Sequence, residues 1–230
     1  NTFFFPDLTF NANPQRVADV SRAIKQAGVN ASGYVVMRLM APNGKELASS
    51  DMLREMREAG FRKIGWGVES LATSIQDTRL KIAELEYTQN VFRWCEDLGI
   101  LTKAFMMVGY PEETRETIEE TLQNLKKIGA SELRVSKLTP FPGTPLYREM
   151  VAKGRLLTSD LSVYDTNTPI IRTDGLSPEE VKQSVGHIVQ GYFNSPEYHA
   201  MVSRQTSRHP ELKGSYDEFF KFLKGKEILR

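Results

Sequence analysis

The sequence predicts an α/β fold in which parallel strands alternate with helices, and two observations lead there. Four amphipathic helix patterns each end in an apolar-Gly-apolar triplet and pass at once into a strand pattern: Ala27-Gly28-Val29, Ala59-Gly60-Phe61, Leu98-Gly99-Ile100 and Ile128-Gly129-Ala130. Glycine suits the position after a helix because its left-handed conformation carries no Cβ penalty. These glycines stand 32, 39 and 30 residues apart, room for one strand, one helix and two loops. That repeat implies parallel strands joined by right-handed crossovers. Ligands of such folds gather where strands end and helices begin.

The elements follow in order. Thr2 to Phe10 reads as an aromatic-rich strand reaching a polar end at Asp7, and Asn13-Pro14 then caps a helix whose inward face is Val17, Val20, Ile24 and Ala27. Tyr34 to Met40 is the next strand, with Arg38 near its C-terminal end. Ser50 or Asp51 is expected to cap a helix with Met52, Leu53, Met56 and Ala59 inward. Phe61 to Val68 is the third strand, closing on Gly67-Val68-Glu69-Ser70. A longer connection with helical character runs from Leu71 to Tyr87, and Val91, Cys95 and Leu98 face inward from the helix after it.

Ile100 to Val108 is the fourth strand. The helix from Thr114 to Ile128 shows Ile118, Leu122, Leu125 and Ile128 at core spacing. Leu133 to Leu138 is the fifth strand and runs into the proline-rich stretch 139–147, an irregular rigid loop by its composition. Beyond about residue 150 the repeat stops. This divides the chain into a barrel-like part, 1–150, and a mostly helical extension, 151–230. Ser177-Pro178-Glu179-Glu180 is a capping box opening a helix through Val181, Val185, Ile188 and Tyr192, and two shorter helical stretches follow.

Composition narrows the classes of function. The 230 residues are 40% hydrophobic, enough for a full core, and 30 basic against 29 acidic residues, well mixed, leave a net charge of +1. That balance offers no footprint for nucleic acid or an anionic membrane. The single cysteine, Cys95, excludes an internal disulfide framework and fits a reducing, cytoplasmic setting. No apolar run reaches the roughly 20 residues of a membrane span. The chain opens Asn1-Thr2-Phe3-Phe4-Phe5, inside a strand pattern and without methionine, which reads as a cut upstream.

The expected strand ends present Asp7, Arg38, Glu69, Ser70, Gly109 and Thr139 at one rim of the sheet. One cation, two carboxylates and a bare glycine suit a zwitterionic, hydroxylated ligand such as an amino acid joined to a nucleoside. Arginine matches a carboxylate bidentately, a glutamate accepts from paired ribose hydroxyls, and glycine lets a flat ring approach. Singly, each residue has a plainer reading as a solvated loop charge or a helix cap. Their recurrence at corresponding ends favours the functional reading.

Asp7 to Asn13 in the strand exit, Arg38, Leu-Arg-Glu-Met-Arg-Glu-Ala-Gly over 53–60, Gly67-Val68-Glu69-Ser70, Gly109-Tyr110-Pro111-Glu112-Glu113-Thr114 and Pro140-Phe141-Pro142-Gly143-Thr144-Pro145 stand in an order that resembles the radical SAM enzymes. The group most similar contains cobalamin-binding radical SAM proteins and anaerobic magnesium-protoporphyrin ester cyclases. The resemblance covers residues 1–150 and, more loosely, 164–192. It implies a partial (β/α)6 TIM-like barrel, about five of six units, that binds S-adenosylmethionine (SAM) across its strand ends. Carried over by motif, Arg38 meets the methionine carboxylate, Glu69 and Ser70 the ribose or methionyl polar groups, and Met107, Val108 and Gly109 the adenine. Asp7, Thr139, Pro140 and Phe141 border the substrate. The family chemistry is one-electron reduction of SAM by a 4Fe-4S cluster to a deoxyadenosyl radical, on a small-molecule substrate, with a reducing partner such as flavodoxin or ferredoxin and with cobalamin in some members.

The chain departs from that family in lacking the three-cysteine loop that ligates the cluster. The missing first unit is expected upstream of Asn1, and this portion alone is expected to be inactive. A degenerate barrel serving as a SAM-binding or interaction module is the alternative. A methylthiotransferase would continue into a basic β-rich domain, whereas 177–223 reads helical. Cys95, Trp66, Trp94 and Met106 read as core, and Glu112, Glu113, Glu116, Glu119 and Glu120 as a solvated acidic run complementing a helix N-terminus. His187, His199 and His209 show no metal-ligand spacing.

Overall fold

Among the described residues five strands, β1 (Thr2–Phe4), β2 (Ser32–Arg38), β3 (Phe61–Glu69), β4 (Leu101–Val108) and β5 (Glu132–Lys137), lie side by side in chain order. Each neighbouring pair is parallel. The structure is a computed structural model and describes residues 1–79 and 83–229. Helices α1 (Pro14–Gln26), α2 (Ser50–Glu58), α3 (Thr73–Arg79), α4 (Leu85–Asp97) and α5 (Arg115–Ile128) occupy the crossovers. The result is a curled half-barrel of the TIM-like type with about five of six units. The helices α6 (Pro145–Ala152), α7 (Pro178–Phe193), α8 (Pro196–Arg208) and α9 (Lys213–Gly225) follow it.

Local chemistry sets the boundaries. Gly28, Gly60, Gly99 and Gly129 all have positive φ, as their place after a helix requires. The Asn13 side chain accepts from the backbone of Gln15 and Arg16, Thr114 and Thr117 form a capping box at α5, and Ser177 and Glu180 form one at α7. Four expectations shift. The first strand is paired over Thr2–Phe4 alone, since Pro6 brings no N–H to a ladder, and Phe10–Ala12 forms a 3₁₀ turn. Ser49, not Ser50 or Asp51, caps α2, accepting from the Met52 N–H. The proline-rich loop ends at Thr144, which caps α6 at Pro145. Ala27 is exposed beyond α1 rather than inward. Of the connection expected over 71–87, α3 and the start of α4 are helical, and residues 80–82 lie outside the described residues.

Alternation along β4 sorts its side chains, with Thr102, Ala104, Met106 and Val108 buried against the helices and Lys103, Phe105 and Met107 half-buried on the concave face. The main core joins Val35, Met37, Ile64, Trp66 and Val108 to Leu122, Leu125, Ile188, Tyr192 and Tyr216, so barrel and C-terminal helices share one apolar interior. Tyrosines tie the two together: the Tyr192 hydroxyl donates to Ala130 O at 2.6 Å and that of Tyr198 to Ser131 O at 3.1 Å. A second cluster, with Ile75, Tyr110, Leu138, Met150 and Ile170, joins the C-terminal strand ends to the segment after α6.

Candidate ligand site at the C-terminal rim

Three strand ends meet at this rim. In the ladder Arg38 pairs with Gly67, Gly67 with Phe105, and then, after a register shift, Glu69 with Met106. Glu69 has φ +67, the left-handed region that a glutamate enters at a cost and that recurs at ligand sites. Its Oε1 comes within 3.1 Å of the point where a Cβ on Gly67 would stand. The carboxylate therefore folds back over Gly67, the residue that pairs with Arg38 on one side and Phe105 on the other. Burial raises the pKa of Glu69, and the Arg38 charge acts against that rise.

Arg38 itself is exposed, while its backbone is clipped by Asn11. The Asn11 amide donates to Arg38 O at 2.7 Å and to Leu47 O at 3.1 Å, and its carbonyl accepts the Arg38 N–H at 3.0 Å. Asn11 is fully buried. Nothing in the sequence singled it out, because an asparagine two residues before a helix cap looks like a turn residue.

At the end of β4, Gly109 has φ +90, and its N–H is accepted by Glu113, which also accepts the Tyr110 N–H at 3.2 Å. Glu113 is 1% exposed. Burial pushes its carboxyl up to about 7, although the two N–H groups pull the other way. The reading of Glu113 as part of a solvated acidic run is thus corrected. Glu119 and Glu120 do lie outside, paired with His187 and Thr73. The Tyr110 hydroxyl is buried with no hydrogen-bond partner, and burial, then the charges of Glu69 and Glu113, hold its pKa well above the usual phenol value.

The remaining named residues are placed as follows. Ser70 is fully buried and its hydroxyl accepts the Ala72 N–H at 3.3 Å. Met107 packs half-buried against the second cluster. Val108 turns its side chain into the main core, and its carbonyl accepts the Leu138 N–H at 2.8 Å. Thr139 donates to Lys137 O at 3.2 Å, Pro140 is buried, and Phe141 is 46% exposed. Asp7 pairs with Arg16 at 3.0 Å.

This rim offers an exposed guanidinium, a carboxylate folded over a glycine and an unpartnered phenol, a set that fits an amino acid joined to a nucleoside. It does not fit a 4Fe-4S cluster. Cys95 is fully buried with its thiol pushed up to about 12 by burial, and no group of metal-ligating side chains occurs among the described residues. His199 stacks on Phe220 and His209 packs against Gly99, both in structural roles. No described helix is long and apolar enough to cross a membrane.

No family model matches the chain. It is 25% identical over 212 residues to an uncharacterised methyltransferase of Pyrococcus horikoshii, covering 89% of this chain and 45% of that protein. It is 26% identical over 176 residues to the anaerobic magnesium-protoporphyrin IX monomethyl ester cyclase of Rubrivivax gelatinosus, covering 76% of this chain and 31% of that enzyme. The chain thus spans less than half the length of these relatives. Its fold matches the radical SAM methyltransferase TsrM of Kitasatospora setae, solved with cobalamin and a 4Fe-4S cluster, at a TM-score of 0.61 and 17% identity over 85% of this chain and 43% of that one. The cobalamin-dependent radical enzyme OxsB matches at 0.61 and 13% identity, over 97% of this chain and 42% of that one. By sequence the chain is similar to a methyltransferase and an ester cyclase, and its fold is the one seen in radical SAM enzymes.

Proposed function

We propose that this chain is the SAM-binding part of a radical SAM enzyme that carries out methylation, ring closure or related carbon-radical chemistry on a small-molecule substrate. The observation that carries the reading is the Glu69 carboxylate folded over Gly67 at the strand end beside exposed Arg38. Bound SAM is the source of the radical or the methyl group. Arg38 pairs with the methionyl carboxylate, and Glu69 accepts from ribose hydroxyls or the amino group. The Gly109 N–H and the Val108 carbonyl are engaged within the protein. Adenine is therefore held by packing against Gly109 and Met107 without the Gly109 N–H, while the Val108 carbonyl keeps a second lone pair.

The reductive step is not assigned to residues of this chain, whose lone thiol is buried. A cluster, cobalamin and a flavodoxin- or ferredoxin-type reductant belong to the proposal for the whole enzyme, as does a cytoplasmic location.

Calorimetric titration of SAM into the chain and into Glu69→Gln, with thermal melts alongside, tests the site. Loss of about 1.5 to 3 kcal/mol of binding in the variant, the range for hydrogen bonds to a charged group, is expected with the melting point nearly unchanged. Absence of SAM binding to the wild type, or unchanged affinity with a lowered melting point, removes the assignment.

A further inference from the structure

The helix-covered face of the sheet is apolar, but the concave face is charged toward the N-terminal ends of its strands. Lys63 of β3 and Lys103 of β4 share one carboxylate, Glu132 of β5, with Lys63 Nζ at 2.5 Å and Lys103 Nζ at 3.7 Å. All three side chains are half-buried, at 31%, 29% and 20% exposure. Two ammonium groups are thus partly withdrawn from water for one carboxylate, and the second stands beyond hydrogen-bond distance of it. Partial desolvation without full pairing is unfavourable, so the arrangement contributes little to stability.

Aromatic rings form the floor beside this trio. Phe105 and Tyr34 close over Gly65, where a Cβ would come within 2.5 Å of the Phe105 ring and 2.9 Å of the Tyr34 hydroxyl. Phe4 stacks on Tyr34 at 5.2 Å yet is 54% exposed. Lys63 stands 5.8 Å from the Tyr34 ring centroid. A cavity of about 700 Å³ opens here, lined by Phe4, Tyr34 and Lys63 from the sheet, by Arg62, whose guanidinium is engaged by the Arg57 and Phe61 carbonyls, and by Glu211, which is paired with Arg57. That size suits a small-molecule ligand.

We propose that this cavity is a carboxylate subsite, in which Lys63 takes the carboxylate of a flat apolar small molecule whose body lies on Phe4 and Tyr34 while Lys103 retains Glu132. Binding completes a pairing of two ammoniums with two carboxylates, and the exposed ring of Phe4 is covered. Lys63 lies six residues before Glu69 on the same strand, about 20 Å at the usual rise, so the subsite is separate from the rim. The inference goes beyond the proposed function, since a ligand held this far from the rim is not within reach of the reaction there.

Titration of the chain with 2-naphthylacetate and with its neutral counterpart 2-naphthylacetamide tests the proposal. Wild type is expected to bind the acetate roughly tenfold more tightly at low salt, the worth of one hydrogen bond to a charged group. Lys63→Met should abolish the margin. Glu132→Gln, which removes the competing carboxylate, should widen it. Equal affinities in wild type, or a margin that survives Lys63→Met in a chain with native circular dichroism, overturns the subsite. If Lys63→Met does not fold, a margin that fails to widen in Glu132→Gln overturns it instead. Acetate preference without SAM binding overturns only the SAM reading, and SAM binding without acetate preference only the subsite.

Discussion

The carboxylate of Glu69 lies over Gly67, its Oε1 3.1 Å from the place of a Cβ on that glycine. Gly67 has an ordinary strand conformation, so the backbone accepts alanine, and the added methyl presses on the end of a flexible side chain. Gly67→Ala is therefore expected to keep fold stability within about 1 kcal/mol and to displace Glu69. SAM affinity should fall roughly tenfold, about 1.4 kcal/mol, by calorimetry. Unaltered affinity would mean that the folded-back carboxylate is not part of the site.

Glu113 predicts a pH dependence. Its carboxyl titrates near 7 in the fold against 4.5 as the ordinary value. A folded pKa above the unfolded one favours the protonated fold, so the contribution of Glu113 is full below about 4.5 and is lost as pH rises through 7. At pH 8 the loss is at most about 3 kcal/mol, at 1.36 kcal/mol per pKa unit. Glu113→Gln, neutral throughout, should gain stability relative to wild type between pH 4.5 and 8 in urea melts taken at several pH values. A difference that stays constant, or moves the other way, contradicts the buried-acid assignment.

The junction of barrel and extension predicts a stability effect far from the rim. The Tyr216 hydroxyl bridges Ser131 Oγ, at 3.0 Å, and Gln205 Oε1, all buried. Tyr216→Phe leaves Gln205 Oε1 without its partner, while Ser131 Oγ keeps the Thr102 N–H, and should cost about 1 to 3 kcal/mol in denaturant unfolding. SAM binding should not change. A variant as stable as wild type would show that the bridge is satisfied by water.

Cluster chemistry gives the last expectation. Cys95 is fully buried with its thiol pushed up to about 12, whereas a cluster needs several accessible thiolates. Anaerobic reconstitution of this chain with iron and sulfide should leave no stoichiometric iron after desalting, in wild type and in Cys95→Ala alike. Iron near four per chain with a cluster absorbance would overturn it.

The sequence by itself determined what depends on near neighbours. Strand-helix order, the glycines after helices, the caps at Asn13 and Ser177, and the arrival of Arg38 and Glu69 at strand ends follow from periodicity and turn chemistry within a few residues. Strand ends were less legible where packing decides. Thr2 to Phe10 has the aromatic composition of a strand, but Pro6 and the pairing available from β2 stop it at Phe4. Only the tertiary structure could show which member of an acidic run turns inward. Glu113 differs from its neighbours because it faces the Gly109 and Tyr110 N–H groups. The Asn11 clip on Arg38 spans 27 residues, the Lys63 to Glu132 pair 69 and the Tyr216 to Ser131 bridge 85. Such contacts leave no periodic trace in the chain, because each partner is an ordinary polar residue until folding excludes water from both.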